Sequence, residues 1–304
     1  MNRPIGLKQG DRVAVIAPSS PIKKDVASTL KKVYENIANL GYEPVIYPSC
    51  YEKYGYLAGT DQLRLKDIHD AFSDPTIAGI ICLRGGYGTP RLLPYLDYEL
   101  IRKNPKVFLG YSDITALHTA FNQLSGLITY HGPMAPDLNA DTYTEASVKS
   151  HISGDYKDLV FKNPNNQPIE VITEGSAQGI LCGGNLSLLV ATLGSPYEID
   201  THGKILFIEE IDEDIYAIDR MLNALALAGK FEDCKGIILG TWTDCDPGDY
   251  GMSLHMAIDT LLKPSGKPII NGLQSGHIYP QMTLAMGEMI EMTVNDSETT
   301  IRYV

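Results

Sequence analysis

Short β-branched runs alternate with amphipathic helical segments through the first half of this chain, and that alternation restricts the fold more than any other feature. Arg12-Val13-Ala14-Val15-Ile16-Ala17, Val45-Ile46-Tyr47, Ile77 to Leu83 and Val107-Phe108-Leu109 read as strands. Behind the first, Val26, Leu30, Val33, Ile37 and Leu40 step by four and three until Gly41 stops the helix. Thr60 or Asp61 opens a second helix carrying Leu65, Ile68 and Phe72, and Ile114, Leu117, Phe121 and Leu124 recur at helical spacing after the fourth strand. Strands that are apolar on both faces must be covered on both faces, which predicts a doubly wound, mainly parallel sheet. Ligands of such sheets bind outside the carboxyl ends of the strands, and the turns at Ser19, Gly86 and Ser112 all fall on that edge.

The pattern dissolves between Pro136 and about Pro168 into polar, turn-rich sequence that includes Asn163-Pro164-Asn165-Asn166-Gln167-Pro168. A chain of 304 residues is long for one core, so two domains are expected, 1–165 and 166–304. The first half is α/β and flavodoxin-like. The second contains Gly179 to Asn185, a helix with Leu188, Leu189, Thr192 and Leu193, the strand Lys204 to Glu210, a helix with Ile218, Leu222, Leu225 and Ala228, and the strand Gly236 to Gly240. Ile290, Met292 and Val294 alternate with polar residues before Asn295-Asp296, and Thr299, Ile301 and Tyr303 alternate after it, which predicts a hairpin. This half is therefore a mixed α/β or β-barrel-like domain.

Composition removes several classes of function. With 37 acidic against 25 basic residues the formal charge is -12, and no basic stripe offers itself to nucleic acid. The first residues lack an apolar leader core and no run approaches the roughly 20 apolar residues of a membrane span, so the expected location is the cytoplasm, with no membrane partner. Cys50, Cys82, Cys182, Cys234 and Cys245 are scattered without a C-x-x-C pair, which argues against a disulfide framework and a zinc site. Cys82 and Cys182 read as small core residues. No metal site and no cofactor are expected, and Gly85-Gly86-Tyr87-Gly88 matches neither dinucleotide nor P-loop spacing.

One turn suggests chemistry. Gly110-Tyr111-Ser112-Asp113 joins a core strand to a helix, which holds the Ser112 oxygen at the sheet edge beside unpaired helix N-terminal amides. From this segment alone the first reading is a helix cap, with Ser112 or Asp113 in that role. A nucleophilic serine needs a base and a group to orient the base. Of the seven histidines, His69 and His255 sit on helices, and His151 and His202 lie in polar surroundings. His118 is carried about 9 Å up a helix from Ser112, and His131 reads as a buried structural residue. His277 sits in the loop Gln274-Ser275-Gly276-His277, where rigid flanks suit a base. Glu209 and Glu210 close an apolar strand on opposite faces, so at most one serves a site, and both also read as solvated strand-end charges paired with Lys204 or Arg220. Amides of Gly85, Gly86 and Asp113 are candidate oxyanion donors. Arg84 is a candidate for gripping a substrate carboxylate or for a structural salt bridge.

Taken in order, Gly10 to Pro21, Arg84 to Gly88, Gly110 to Thr115, His131-Gly132-Pro133-Met134, Gly183 to Leu186, Leu206 to Glu210, Ile218 to Leu222 and Gly276-His277 resemble the LD-carboxypeptidase family of serine peptidases, which includes the microcin-C immunity peptidases. The resemblance spans nearly the whole chain. It implies Ser112 as nucleophile, His277 as base and Glu209 as its orienting acid, with Gly85 or Gly86 and Asp113 donating to the oxyanion. It further implies a site in the cleft between the two domains, a homodimer, and hydrolysis of the L,D-amide that releases a terminal D-Ala from a peptidoglycan-derived tetrapeptide, a small peptide substrate met in cell-wall recycling. A peptidyl-nucleotide amide is the alternative substrate, which would want an aromatic residue to stack on a base; the single tryptophan, Trp242, follows a strand in the second domain, and the sequence does not place it at the site. A non-catalytic small-ligand binding module is the third reading. The chain departs from the G-x-S-x-G elbow of α/β-hydrolases, because Ile114 stands where glycine is needed.

Overall fold

Strands β1 (Arg12–Ile16), β2 (Glu43–Ile46), β3 (Ile77–Cys82), β4 (Val107–Gly110) and β5 (Thr129–His131) lie parallel in the order β2-β1-β3-β4-β5 in the computed structural model, which describes residues 1–245, 251–295 and 299–304. This is the expected doubly wound order, with its switch point between β1 and β3. Helices α1 (Val26–Asn39), α2 (Asp61–Ser73), α3 (Tyr98–Lys103), α4 (Thr115–Ala120) and α5 (Thr142–Ser153) belong to the same unit. Val13 to Ala17 are fully buried, as continuous apolar strands require. Phe121 meets Phe72 and Phe108 edge to face, its ring 5.0 Å from that of Phe108, while Phe72 and Phe108 stack, so truncating Phe108 to alanine would cost about 3–5 kcal/mol.

The helices start where capping chemistry puts them. The Asp25 carboxylate accepts from the Ser28 amide at 3.0 Å, and the Thr60 hydroxyl accepts from the Leu63 amide at 3.3 Å. Val26, expected on the core face of α1, is exposed because it is the first residue after that cap. In α2 the buried face holds Arg64 and Asp67 beside Ile68, Ala71 and Phe72, whereas Leu65 is only partly buried. The segment after Ser112 is not one uniform helix. A 3-10 turn (Ser112–Ile114) leads into α4, and a wide π turn (Phe121–Ser125) follows it.

The second unit carries β6 (Glu170–Thr173), β7 (Gly175–Asn185), β8 (Ile205–Ile211), β9 (Gly236–Thr243), β10 (Ile269–Asn271), β12 (Met289–Val294) and β13 (Thr299–Tyr303), in the order β13-β12-β7-β8-β9-β10-β6. β7, β8, β9 and β10 are parallel while β12, β13 and β6 pair antiparallel, so the sheet is mixed and nearly barrel-like. Helices α6 (Leu186–Ala191), α7 (Ile215–Leu227), α8 (Lys230–Asp233) and α9 (Leu254–Leu261) cover one face, burying Leu206, Ile208, Leu222, Ile237 and Ile258 in one core. The expected hairpin forms with Ile290 opposite Tyr303 and Met292 opposite Ile301, and its turn residue Asp296 lies outside the described residues.

The first unit comprises Met1–Asp155 and Thr283–Gly287, the second Tyr156–Met282 and Glu288–Val304. Residues 156–165 therefore group with the second unit rather than the first. The Tyr156 hydroxyl donates to Glu288 at 2.9 Å and the Phe161 amide donates to Ile301 at 2.8 Å. A polar stretch marks where regular structure stops, whereas bonds of this kind decide which core a segment joins. The late triplet β11 (Leu284–Met286) pairs antiparallel with β5 and completes the first sheet, an insertion that strand patterning did not reveal. Among the described residues no helix is long and apolar enough to cross a membrane, and no group of three His, Cys, Asp or Glu side chains is placed to hold a metal ion.

Candidate active site

Ser112 stands one residue past β4, after Tyr111, at the carboxyl edge of the parallel sheet, and its φ is 63°. A non-glycine residue in the left-handed region stores about 1–3 kcal/mol of strain and persists only where its surroundings hold it. Adjacent β3 delivers Gly85 to the same place. A methyl group built on Gly85 would stand 2.9 Å from Ser112 Oγ and 2.8 Å from its Cβ, so only a glycine lets that backbone lie against the hydroxyl. Gly86, at φ 120°, packs just as closely on the Ser20 side chain from the loop after β1, and the Tyr87 amide donates to Ser20 Oγ at 3.3 Å.

Asp113 points away from solvent. Its carboxylate accepts from the Thr89 amide at 2.9 Å, and the Thr89 hydroxyl donates to its carbonyl. Burial pushes the Asp113 carboxyl above the ordinary range, against the pull of hydrogen bonds from Thr89 and the Gly88 backbone. Arg84 donates to the Pro21 carbonyl at 2.8 Å, and burial lowers its pKa. No carboxylate is salt-bridged to it among the described residues, so the structural ion pair considered for it is not formed.

In the second unit Glu209 and Glu210 separate as strand alternation requires. Glu209 has no exposed surface, and its Oε2 accepts a 2.7 Å hydrogen bond from Nδ1 of His277. Its Oε1 has no hydrogen-bond partner among the described residues. Glu210 accepts from the Asn185 side chain at 2.7 Å, from its neighbour's Ile211 amide at 2.9 Å and from the Ser187 amide at 2.8 Å. It therefore closes the N-terminal turn of α6, where a negative charge is favourable. The reading of both as solvated charges fails. Lys204 pairs with Asp200, and Arg220 lies over the Tyr216 ring.

The His277 loop is tightly tied. Gly276 has φ 125°, and a methyl there would stand 2.8 Å from Glu209 Oε2 and 2.7 Å from the Thr241 hydroxyl. Gln281 donates to the Gly276 carbonyl at 2.7 Å, Ser275 to Met282 O at 2.9 Å, and the Thr241 amide to Ser275 O at 3.1 Å. With Nδ1–H committed to Glu209, Nε2 is left as the acceptor nitrogen.

The other histidines have other partners. His118, His131 and His151 are buried, His151 despite its polar neighbours in the sequence. His118 donates to the Gly110 carbonyl at 2.8 Å and His151 to Ser147 O at 2.7 Å, and burial pulls each down to about 4. His69 accepts from the Asp97 amide at 2.9 Å, His255 pairs with Glu170 at 3.0 Å, and His202 is exposed. Trp242 packs against the helix-covered core, on the face opposite Glu209 and Phe207. Sequence reasoning missed Arg64, Thr89 and Gln281. For Arg64 a signal existed, a charged residue at the helical spacing of Ile68 and Ala71.

Residues 13–132 match the model of the LD-carboxypeptidase N-terminal domain and residues 178–292 that of the LD-carboxypeptidase C-terminal domain, which makes this two-sheet α/β chain a protein of the peptidase class. It belongs to the LD-carboxypeptidase family. A probable murein peptide carboxypeptidase of Bacillus subtilis is 40% identical over 306 residues, covering 98% of this chain and 94% of that protein. The murein tetrapeptide carboxypeptidase of Pseudomonas aeruginosa is 32% identical over 279 residues, 88% of each chain. Among solved structures, an MccF-like protein of Bacillus anthracis superposes with a TM-score of 0.87 at 27% identity, over 100% of this chain and 99% of that one.

Proposed function

We propose that this chain is a serine carboxypeptidase that hydrolyses the L,D-amide of a peptidoglycan-derived tetrapeptide and releases D-Ala, with Ser112 as nucleophile, His277 as base and Glu209 as the acid that orients the base. The observation that carries the reading is the buried Glu209–His277 pair, in which a carboxylate fixes Nδ1 and with it the tautomer and plane of the ring. The names of the murein peptidase relatives supply the substrate class.

On this reading Ser112 Oγ attacks the scissile carbonyl carbon and its proton passes to His277 Nε2. The amides of Gly85 or Gly86 and of Asp113 stabilise the oxyanion, each worth about 10²- to 10³-fold in rate. The imidazolium then protonates the departing amine of D-Ala, leaving an acyl ester on Ser112. Water, deprotonated by Nε2, hydrolyses that ester and returns the proton to Ser112. Arg84, with no carboxylate partner among the described residues, meets the substrate's terminal carboxylate. The chemistry draws on no cofactor. On the same reading the enzyme is a cytoplasmic homodimer of cell-wall recycling.

A second substrate, an aminoacyl or peptidyl amide of a nucleotide, is suggested by MccF, which is seen in complex with glutamyl sulfamoyl guanosine and with aspartyl sulfamoyl adenosine. Trp242 does not support it, since that ring is committed to the core. Incubation with an L,D-tetrapeptide and with an aminoacyl-sulfamoyl nucleoside, following free D-Ala and free nucleoside, separates the two. Release of D-Ala that disappears in Ser112→Ala is expected. Turnover of neither substrate, or turnover unchanged in Ser112→Ala, removes the serine-peptidase reading.

A further inference from the structure

Arg64 lies on α2 with no exposed surface. Desolvating an ion costs several kcal/mol, so a buried guanidinium needs partners; both terminal nitrogens of Arg64 have them, while its Nε has none among the described residues. Its Nη1 donates to the Pro18 carbonyl, in the loop after β1, and to the Gly88 carbonyl at 3.0 Å, in the loop after β3. Its Nη2 bonds to Asp61, which Arg91 grips from outside with contacts of 2.6 and 3.1 Å.

The Gly88 carbonyl and the Thr89 N–H belong to one peptide group. Arg64 holds the oxygen of that group, and the Asp113 carboxylate holds its N–H at 2.9 Å. Gly88 has φ 140°, and a methyl there would stand 2.7 Å from Arg64 Nη1 and 2.7 Å from the Leu57 side chain, so the guanidinium has taken the room a side chain would need. At its other end the glycine loop is anchored where the Leu83 amide donates to Ile16 at 2.8 Å. Between these anchors lie Gly85 and Gly86, against Ser112 and Ser20.

We infer that Arg64 and the carboxylate of Asp113 clamp the Gly88–Thr89 peptide from both edges and thereby set the Gly85–Gly86 amides against Ser112, which makes Arg64 a positioning residue for oxyanion stabilisation. The inference rests on the reading given under Proposed function. Oxyanion donors act within a narrow range of about 2.7–3.1 Å, and a site must be held to about 0.5 Å, so a loop released at one anchor loses transition-state binding before substrate binding. Asp113 has two functions here, its amide as a donor and its carboxylate as the support of the partner donors.

The test compares Arg64→Met and Arg64→Lys with the parent on the L,D-tetrapeptide, alongside thermal melts and the rate at which a peptidyl phosphonate labels Ser112. Arg64→Met is expected to lower kcat about 10- to 100-fold with KM within about threefold, and to slow phosphonylation in parallel, because the phosphonyl oxygen takes the oxyanion position. Arg64→Lys keeps the charge and one carbonyl contact and is expected to recover part of kcat. If Arg64→Met does not fold, Arg64→Lys decides alone. Parental kcat in Arg64→Lys and in any folded Arg64→Met, or losses that follow only the folded fraction, overturn the clamp and leave the peptidase reading standing. A parent protein that is phosphonylated but releases no D-Ala overturns the substrate reading, and the clamp is then judged on phosphonylation rates. A parent inert to both overturns both.

Discussion

Nδ1 of His277 stands 2.7 Å from Oε2 of Glu209, a carboxylate without exposed surface. In a dry setting such a hydrogen bond fixes both the tautomer and the plane of the ring more firmly than a solvated pair would. The pair is held without help from Glu210, whose oxygens are engaged at the start of α6.

Glu209→Gln keeps the shape of that pair and reverses its polarity. The amide NH₂ then faces Nδ1, the ring proton moves to Nε2, and the proposed base is lost. A fall in kcat of about 10³- to 10⁴-fold with little change in KM is expected from steady-state kinetics. A fall of less than about tenfold would remove Glu209 from the orienting role.

Gly276→Ala strikes the same pair from the backbone side. Its methyl meets Glu209 Oε2 and the Thr241 hydroxyl at 2.8 and 2.7 Å, and φ 125° disfavours any side chain. A stability loss of about 1–3 kcal/mol by urea titration is expected, together with a kcat loss larger than that of a distant variant of equal stability. Unchanged stability and unchanged kcat together would show that the loop accommodates the methyl.

Ser112→Gly and Ser112→Ala both remove the hydroxyl, yet they differ in strain. At φ 63° glycine is relaxed and alanine is not. Ser112→Gly should melt higher than Ser112→Ala by an amount equivalent to about 1 kcal/mol, while neither turns over substrate. Equal melting of the two would show that the turn carries no strain.

Much of this was legible from residue patterns because strand and helix periods report burial. The parallel order, the edge turns, the β12–β13 hairpin and the opposite facing of Glu209 and Glu210 all follow from spacing. Other features depend on contacts far apart in the chain. β11 is a triplet whose partner β5 lies more than a hundred residues earlier, so no local pattern distinguishes it from a loop. Arg64 was hidden for a related reason. A charge on an apolar helix face reads as a fault in the pattern until the carbonyls of Pro18 and Gly88 are seen to receive it.

His118 and His151 yield a prediction about acid stability. Burial holds both near 4 in the folded protein against an ordinary 6.5 for imidazole in water, so between those values the unfolded chain binds more protons. Stability then falls as pH drops through that window, by about 2 kcal/mol per histidine at a pH of about 5. Asp67 and Asp113 act in the opposite sense, since burial raises their carboxyls and the folded state takes up those protons first. The raw pH profile therefore mixes the two, and the histidine share is read from a variant. Urea unfolding of the parent and of His151→Gln, near neutrality and at a pH of about 5, should show the acid-induced loss shrinking by about 2 kcal/mol in the variant. An identical loss in both proteins would mean that His151 is already protonated in the folded state, with its hydrogen bond to Ser147 O carrying the charge.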